Sequence, residues 1–237
     1  MEDGIRLKEL FRDENNKNIA IIGAGFIGLE AVEAAKKYGK KVSVFQLGDR
    51  ILQDVFDKEI TDLLEEELRN HNVDLYLQES VTEIIGDKKV KRVKTPNREV
   101  EADVVIIATG VRPNTEFLKN SNLEMLPNGA IIVDNYGKTS IEDVYSAGDC
   151  ATITQIITGE KAYVPLATGA NKLGRIVGEN LAGADIEFQG SLSSSCIKVM
   201  NMEAGRTGIT ESKAKALNLN YKTVFINDMN ATNYYPG

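Results

Sequence analysis

Gly23-Ala24-Gly25-Phe26-Ile27-Gly28 is the stretch of this chain whose spacing implies chemistry most directly. It reads G-x-G-x-x-G, follows an apolar run and opens a helical pattern, the setting in which this motif binds a dinucleotide. Gly23 permits a tight turn. Gly25 lets a pyrophosphate reach the backbone, because no Cβ stands in the way. Gly28 lets the helix lie close to the sheet. Exposed N–H groups and the positive helix end then face the phosphates. The ribose-recognising position falls at the end of the next strand. Counting 23 positions from Gly23 gives Gln46, an amide that bonds a diol without adding charge. The nearby cation, Arg50, is partly offset by Asp49, so little stands ready for a 2′-phosphate. NADH is therefore expected ahead of NADPH.

Other reactive residue types are sparse. Two cysteines, Cys150 and Cys196, are too few for a disulfide framework and lack metal-ligand spacing. Both are read as structural rather than redox thiols. The single histidine, His71, closes an acidic helix carrying Glu65-Glu66-Glu67 and is read as a solvated residue favourable to the helix dipole. With one His and no Trp, zinc hydrolases and most Ser-His-Asp schemes are disfavoured, and no metal is expected.

The elements that must position the glycine turn follow from the apolar pattern. Ile5, Leu7, Leu10 and Phe11 suit a short amphipathic helix. Asn18–Ile22, Val42–Phe45 and Val73–Leu77 are compact apolar strands separated by helices over Phe26–Tyr38 and Asp57–Asn72, the latter with Ile60, Leu63, Leu64 and Leu68 on one face. That alternation specifies a parallel sheet with helical crossovers. Val81–Val100 is broken by Gly86-Asp87 and Pro96-Asn97, turn signals that predict an antiparallel meander. Asp103–Ile107 is a further buried strand, leading to Ala108-Thr109-Gly110. Beyond it, a strand is predicted at Ala130–Val133 and a helix at Leu166–Leu181. Strand-like pieces at Ser195–Met200 and Tyr221–Ile226 flank a helix over Thr210–Leu217, with Thr210 as N-cap. The fold class is α/β: a Rossmann-like domain of parallel sheet plus antiparallel meander.

Composition narrows the class. The chain has 237 residues, 42% hydrophobic and 27% charged, as expected of a globular protein. Lys+Arg number 28 against 35 Asp+Glu, a net charge of −7. No cationic excess exists to neutralise phosphates, so no nucleic-acid partner is expected. The longest apolar stretch, around residues 104–111, is far too short to cross a bilayer. The opening Met-Glu-Asp-Gly-Ile-Arg is not a signal peptide. A cytoplasmic protein without a membrane partner is expected.

A series of motifs in order carries a family likeness. Gly23-Ala-Gly-Phe-Ile-Gly-Leu-Glu30, Ala108-Thr-Gly-Val-Arg-Pro-Asn114 and Thr139-Ser-Ile-Glu-Asp-Val-Tyr-Ser-Ala-Gly-Asp149 resemble the pyridine nucleotide-disulfide oxidoreductases. Pro165-Leu-Ala-Thr168, with Gly174-Arg175 and Asn180-Leu-Ala-Gly183, then Thr207-Gly-Ile-Thr-Glu211 and Tyr234-Tyr-Pro-Gly237, are similar to the branch holding NADH oxidase, NADH peroxidase and coenzyme A-disulfide reductase. The resemblance implies a lead-in at 1–17, an NAD(H)-binding domain at 18–110, the C-terminal half of an FAD-binding domain at 111–188 and a truncated start of a dimerisation domain at 189–237. It also implies a homodimer in the full-length protein. The family's FAD pyrophosphate turn and redox cysteine would lie upstream, so the chain is expected to be an internal fragment without a catalytic residue of its own.

Residue by residue, the resemblance implies that Asp149, after Gly148, is a buried carboxylate at a helix start that bonds an FAD ribityl hydroxyl. Leu166, Ala167 and Thr168 form a helix start facing the flavin, and Gly110, which closes the NAD domain, is a cofactor-binding residue. Glu30 lies near the nicotinamide, and Phe26 replaces a gating tyrosine without its hydroxyl. Tyr234 and Tyr235 either approach the partner subunit's active site or form an inert hairpin. The implied activity is hydride transfer from NADH to FAD and onward to a small-molecule acceptor: a disulfide, a peroxide, a sulfenate or oxygen. The alternative is a nucleotide-binding module that holds NADH without turnover.

Overall fold

The computed structural model describes residues 2–229; Tyr234 and Tyr235 lie outside them. A helix, α1 (Glu2–Arg12), precedes the first strand, β1 (Asn18–Ile22). The alternation then runs α2 (Phe26–Lys37), β2 (Lys41–Gln46), α3 (Lys58–Asn70) and β3 (Val73–Leu77). An antiparallel meander of β4 (Glu83–Gly86), β5 (Val90–Lys94) and β6 (Glu99–Glu101) interrupts it before β7 (Val104–Ile107). The central sheet has the order β3-β2-β1-β7, with every pair parallel.

The strands form here because their apolar runs are buried on both faces. Ile19, Ile21, Val42 and Val44 point into a core made with Leu29, Val32 and Ala35 of α2 and Leu64 and Leu68 of α3. Ala20 and Phe45 point the other way and pack with Val93 and Ala102 under the meander. The twofold alternation of strand side chains accounts for this division.

Later segments are less regular. Two two-residue strands, β8 (Ile153–Thr154) and β9 (Lys161–Ala162), pair antiparallel ahead of α4 (Ala167–Leu181). A second core gathers Ile131, Val133, Ala151, Ile153, Leu173 and Phe188. A hairpin of β10 (Ser195–Val199) and β11 (Met202–Arg206) leads to α5 (Glu211–Ala216). Its Ile197, Val199, Met200 and Ala204 join the first core, as does Phe11 of α1. Both ends of α3 hold this hairpin region. Asp57 accepts hydrogen bonds from Glu211 N (2.9 Å) and Ser212 N (3.5 Å). At the other end, Glu67 accepts from Asn201 N at 2.9 Å, and His71 Nε2 meets Asn201 Nδ2 at 3.0 Å. His71 is thus a bridging side chain rather than a simply solvated one. Thr210 caps α5 as predicted, accepting from Lys213 N at 3.2 Å.

Two predicted strands do not form. Ala130, Ile131 and Val133 are buried, but the segment makes only single bridges, from Ile131 to Met125 and Ala151. Tyr221–Ile226 has no strand partner among the described residues, and Val224, Phe225 and Ile226 are exposed.

Candidate functional site

The glycine turn sits at the C-terminal end of the parallel strands, between β1 and α2. Each glycine has a separate reason. Gly23 has φ +103°, and a Cβ there would collide with the carbonyl oxygen of Ala108. A Cβ on Gly28 would meet Gly23 O. These two are required by the fold. Gly25 is different: its backbone is ordinary (φ −85°, ψ −170°), and a Cβ would meet no protein atom within 4 Å. Among the described residues, no atom stands against a Cβ at this position. Gly25 is also the N-cap of α2 and lends the helix no side-chain hydrogen bond. The first-turn N–H groups are therefore left open at the positive helix end, beside vacant space, which suits a pyrophosphate. Ala24 beneath the turn is buried, whereas Ile27 is 56% exposed.

Gln46 ends β2, as the count from Gly23 predicts, but its side chain turns inward. Its Oε1 accepts the Ala24 N–H at 3.0 Å. That oxygen is therefore engaged with the turn, and the Nε2 donor is what remains for a ribose hydroxyl. Arg50 lies beside Asp49, the acid that the sequence pairs with it, and is further engaged within its own loop. Its Nη2 donates to Gln53 O at 3.2 Å, Asp49 lies 3.7 Å away, and its Nε is buried without a partner. The guanidinium thus bonds within its own loop. Glu30 is exposed on α2, with no hydrogen bond or ion pair among the described residues. Phe26 is half-buried against the first core.

Several contributors carry no obvious sequence signal. Leu52 adopts φ +46° and donates its N–H to Ala24 O at 3.0 Å, closing the 46–53 loop over the turn. Leu47 and Ile107 are apolar yet 77% and 65% exposed at strand ends beside the turn. Exposed apolar side chains grouped at such an edge are what an aromatic or heterocyclic ligand would cover. Gln78 and Glu79, just past β3, donate their N–H groups to Gly48 O and Gln46 O.

The second set of predicted residues, Gly148, Asp149 and Leu166 to Thr168, is separate. No hydrogen bond or shared core among the described residues joins it to the glycine turn. Gly110 (φ +106°) and Gly148 (φ +88°) both have open space where a Cβ would be. Asp149 is expected from sequence to be a buried carboxylate at a helix start. Instead it is exposed in the turn 148–150, because the chain reverses there before β8 and no helix follows. Leu166 is the N-cap of α4 without a side-chain bond, leaving the N–H groups of Ala167 and Thr168 exposed. Burial raises the pKa of the Tyr163 phenol, helped by the charges of Asp149 and Cys150. Cys150 donates to Ala147 O at 3.4 Å and is half-buried, whereas Cys196 is exposed.

Comparisons with known proteins agree on one grouping. The family described as pyridine nucleotide-disulphide oxidoreductase matches residues 3–174. The chain is 40% identical over 235 residues to the NAD(P)H coenzyme A polysulfide/persulfide reductase of Pyrococcus horikoshii, covering 99% of this chain and 53% of that protein. It is 40% identical over 222 residues to an NADH oxidase of Enterococcus faecalis, covering 93% and 49%. The NADH-bound structure of a water-forming NADH oxidase from Lactobacillus brevis superposes with a TM-score of 0.90 at 34% identity, over 100% of this chain and 51% of that one. The chain spans about half the length of the curated relatives it matches.

Proposed function

The chain belongs to the pyridine nucleotide-disulphide oxidoreductase family, and from that membership we propose that it is the NADH-binding part of an FAD-linked oxidoreductase. The observation that carries this reading is the empty space over Gly25, beside the uncapped N-terminus of α2. The residues fit the cofactor. The turn's N–H groups bind the pyrophosphate, Gln46 Nε2 donates to the adenosine ribose, and Leu47 flanks the base. When bound, the two cofactors supply hydride transfer and onward electron delivery. The protein's part is to hold the dinucleotide in one pose at the strand ends and to keep an apolar edge around it. Gln46 is neutral, and Arg50 bonds Gln53 O beside Asp49, which supports NADH over NADPH.

Gly148, Asp149 and the exposed N-terminus of α4 form the chain's contribution to the flavin site. Gly110 marks the junction between the NAD domain at 18–110 and the FAD-domain half at 111–188. The two separate apolar cores support that division. The acceptor of the whole protein is oxygen or a sulfur compound, in line with the named activities of its relatives. That whole protein is a homodimer. The chain alone carries a single G-x-G-x-x-G, which favours a second reading for it in isolation: NADH binding without turnover. No helix of the described residues is long and apolar enough to cross a membrane.

The test is direct. The purified chain should show an NADH-dependent rise in melting temperature at millimolar cofactor, larger than that with NADPH. No shift with either cofactor contradicts the reading. A yellow chain that oxidises NADH overturns the second reading and leaves the first.

A further inference from the structure

We propose that Glu79 and Arg98 are positioning residues for the adenosine half of the dinucleotide, acting through the main chain at Gln46 and Gly48. This rests on the reading of the glycine turn as an NADH site. Glu79 lies just past β3 and is 5% exposed. Its Oε1 accepts from Thr95 Oγ1 at 2.5 Å and from Arg98 Nε at 2.8 Å, both on the β5–β6 turn of the meander. Its backbone N–H donates to Gln46 O at 3.0 Å, and the adjacent Gln78 N–H donates to Gly48 O at 2.9 Å. Gln46 in turn holds the Ala24 N–H at 3.0 Å. Arg98 thus holds the Glu79 carboxylate, the Glu79 main chain holds that of Gln46, and the Gln46 side chain holds the phosphate turn.

A second contact runs alongside. The Arg98 guanidinium sits 4.4 Å over the Tyr76 ring, and Tyr76 stacks on Phe45 at 5.0 Å, one residue before Gln46. Gln78 is held at φ +53°, a conformation that a non-glycine residue keeps only where its surroundings fix it. A buried carboxylate is a costly way to attach a meander that Val93, Val100 and Ala102 already fasten by apolar packing. What it adds is direction. It fixes the strand end whose side chain and main chain meet the ribose, and binding sites lose affinity when such support is loosened.

The experiment is an equilibrium titration of the purified chain with NADH and with ADP-ribose, for the wild type, Glu79→Gln and Val93→Ala. Val93→Ala loosens the same meander without touching Glu79, and thermal melts put the two variants on one stability scale. The expected result is a ~10-fold weaker Kd for both ligands in Glu79→Gln. Val93→Ala at comparable stability should stay within about threefold of wild type. If Glu79→Gln does not fold, Arg98→Gln, at a half-exposed side chain, takes its place. The proposal is overturned if the Glu79 or Arg98 variant binds like wild type, or if Val93→Ala weakens binding as much. Failure of the wild-type chain to bind either ligand overturns the reading of the site itself, and the proposal with it.

Discussion

Replacing Gly25 by valine separates a ligand role from a fold role at a single position. The added side chain meets no protein atom within 4 Å of its Cβ, and φ −85°, ψ −170° is a conformation valine accepts. The cost to stability is that of a poorer N-cap, about 0.5–1 kcal/mol, or roughly 1–4 °C in a domain of this size. The cost to binding is larger. The valine methyls occupy the space left for the pyrophosphate and block its approach to the turn. Hydrogen bonds to charged groups are worth about 1.5–3 kcal/mol each. Losing two of them weakens NADH by ~100-fold or more. Fluorescence titration with NADH, paired with a thermal melt, reads both quantities in one preparation. Unchanged affinity would falsify the pyrophosphate role. A melting temperature lowered by ~10 °C or more would instead place Gly25 with the fold glycines.

Gly23→Ala and Gly28→Ala should behave in the opposite way. Each new Cβ meets a backbone oxygen, so each variant loses several kcal/mol, on the order of a severe overpacking defect, and chemical denaturation measures it. Asp57→Ala should cost about 1 kcal/mol and raise hydrogen exchange across α5, whose first N–H groups Asp57 receives; unchanged exchange would show that this cap is idle. Burial pushes the pKa of Glu79 up, but hydrogen bonds from Thr95 and Arg98 and the Arg98 charge outweigh it, and the net direction is below the ordinary value of 4.5. A lowered folded-state pKa stabilises above the unfolded value and ceases to do so as pH falls through the folded one. The stability gap between wild type and Glu79→Gln should therefore narrow below pH 4.5, and thermal melts at several pH values would expose a constant gap as a contradiction.

The central sheet was legible because β1, β2, β3 and β7 are compact apolar runs, and the chain offers no other way to bury them. The glycine turn was legible for a related reason: three glycines at fixed spacing have few uses between a strand and a helix. Other features depend on contacts made far along the chain. The strand β11 reads Met202-Glu-Ala-Gly-Arg206, a weak alternation, and it exists because it pairs with β10 from Ser195↔Arg206 to Val199↔Met202. Gln46 was found by counting, but the direction of its amide follows from the 46–53 loop folding over the turn, with Leu52 bonded to Ala24. The same loop supplies the Gln53 carbonyl to which Arg50 turns. The exposure of Asp149 comes from a turn where the pattern suggested the start of a helix. Glu79 carries no motif, and its place in the site appears only once the meander lies against β3.

The most direct test is an amide NMR titration of the isotopically labelled chain with NADH. The account predicts that resonances of Gly25, Phe26 and Ile27 and the Gln46 side-chain amide shift together and saturate, with smaller changes at Leu47 and Ile107. Shifts confined to other surfaces, such as the polar cavity lined by Lys41, Tyr76 and Glu101, or no shifts at all, would contradict it.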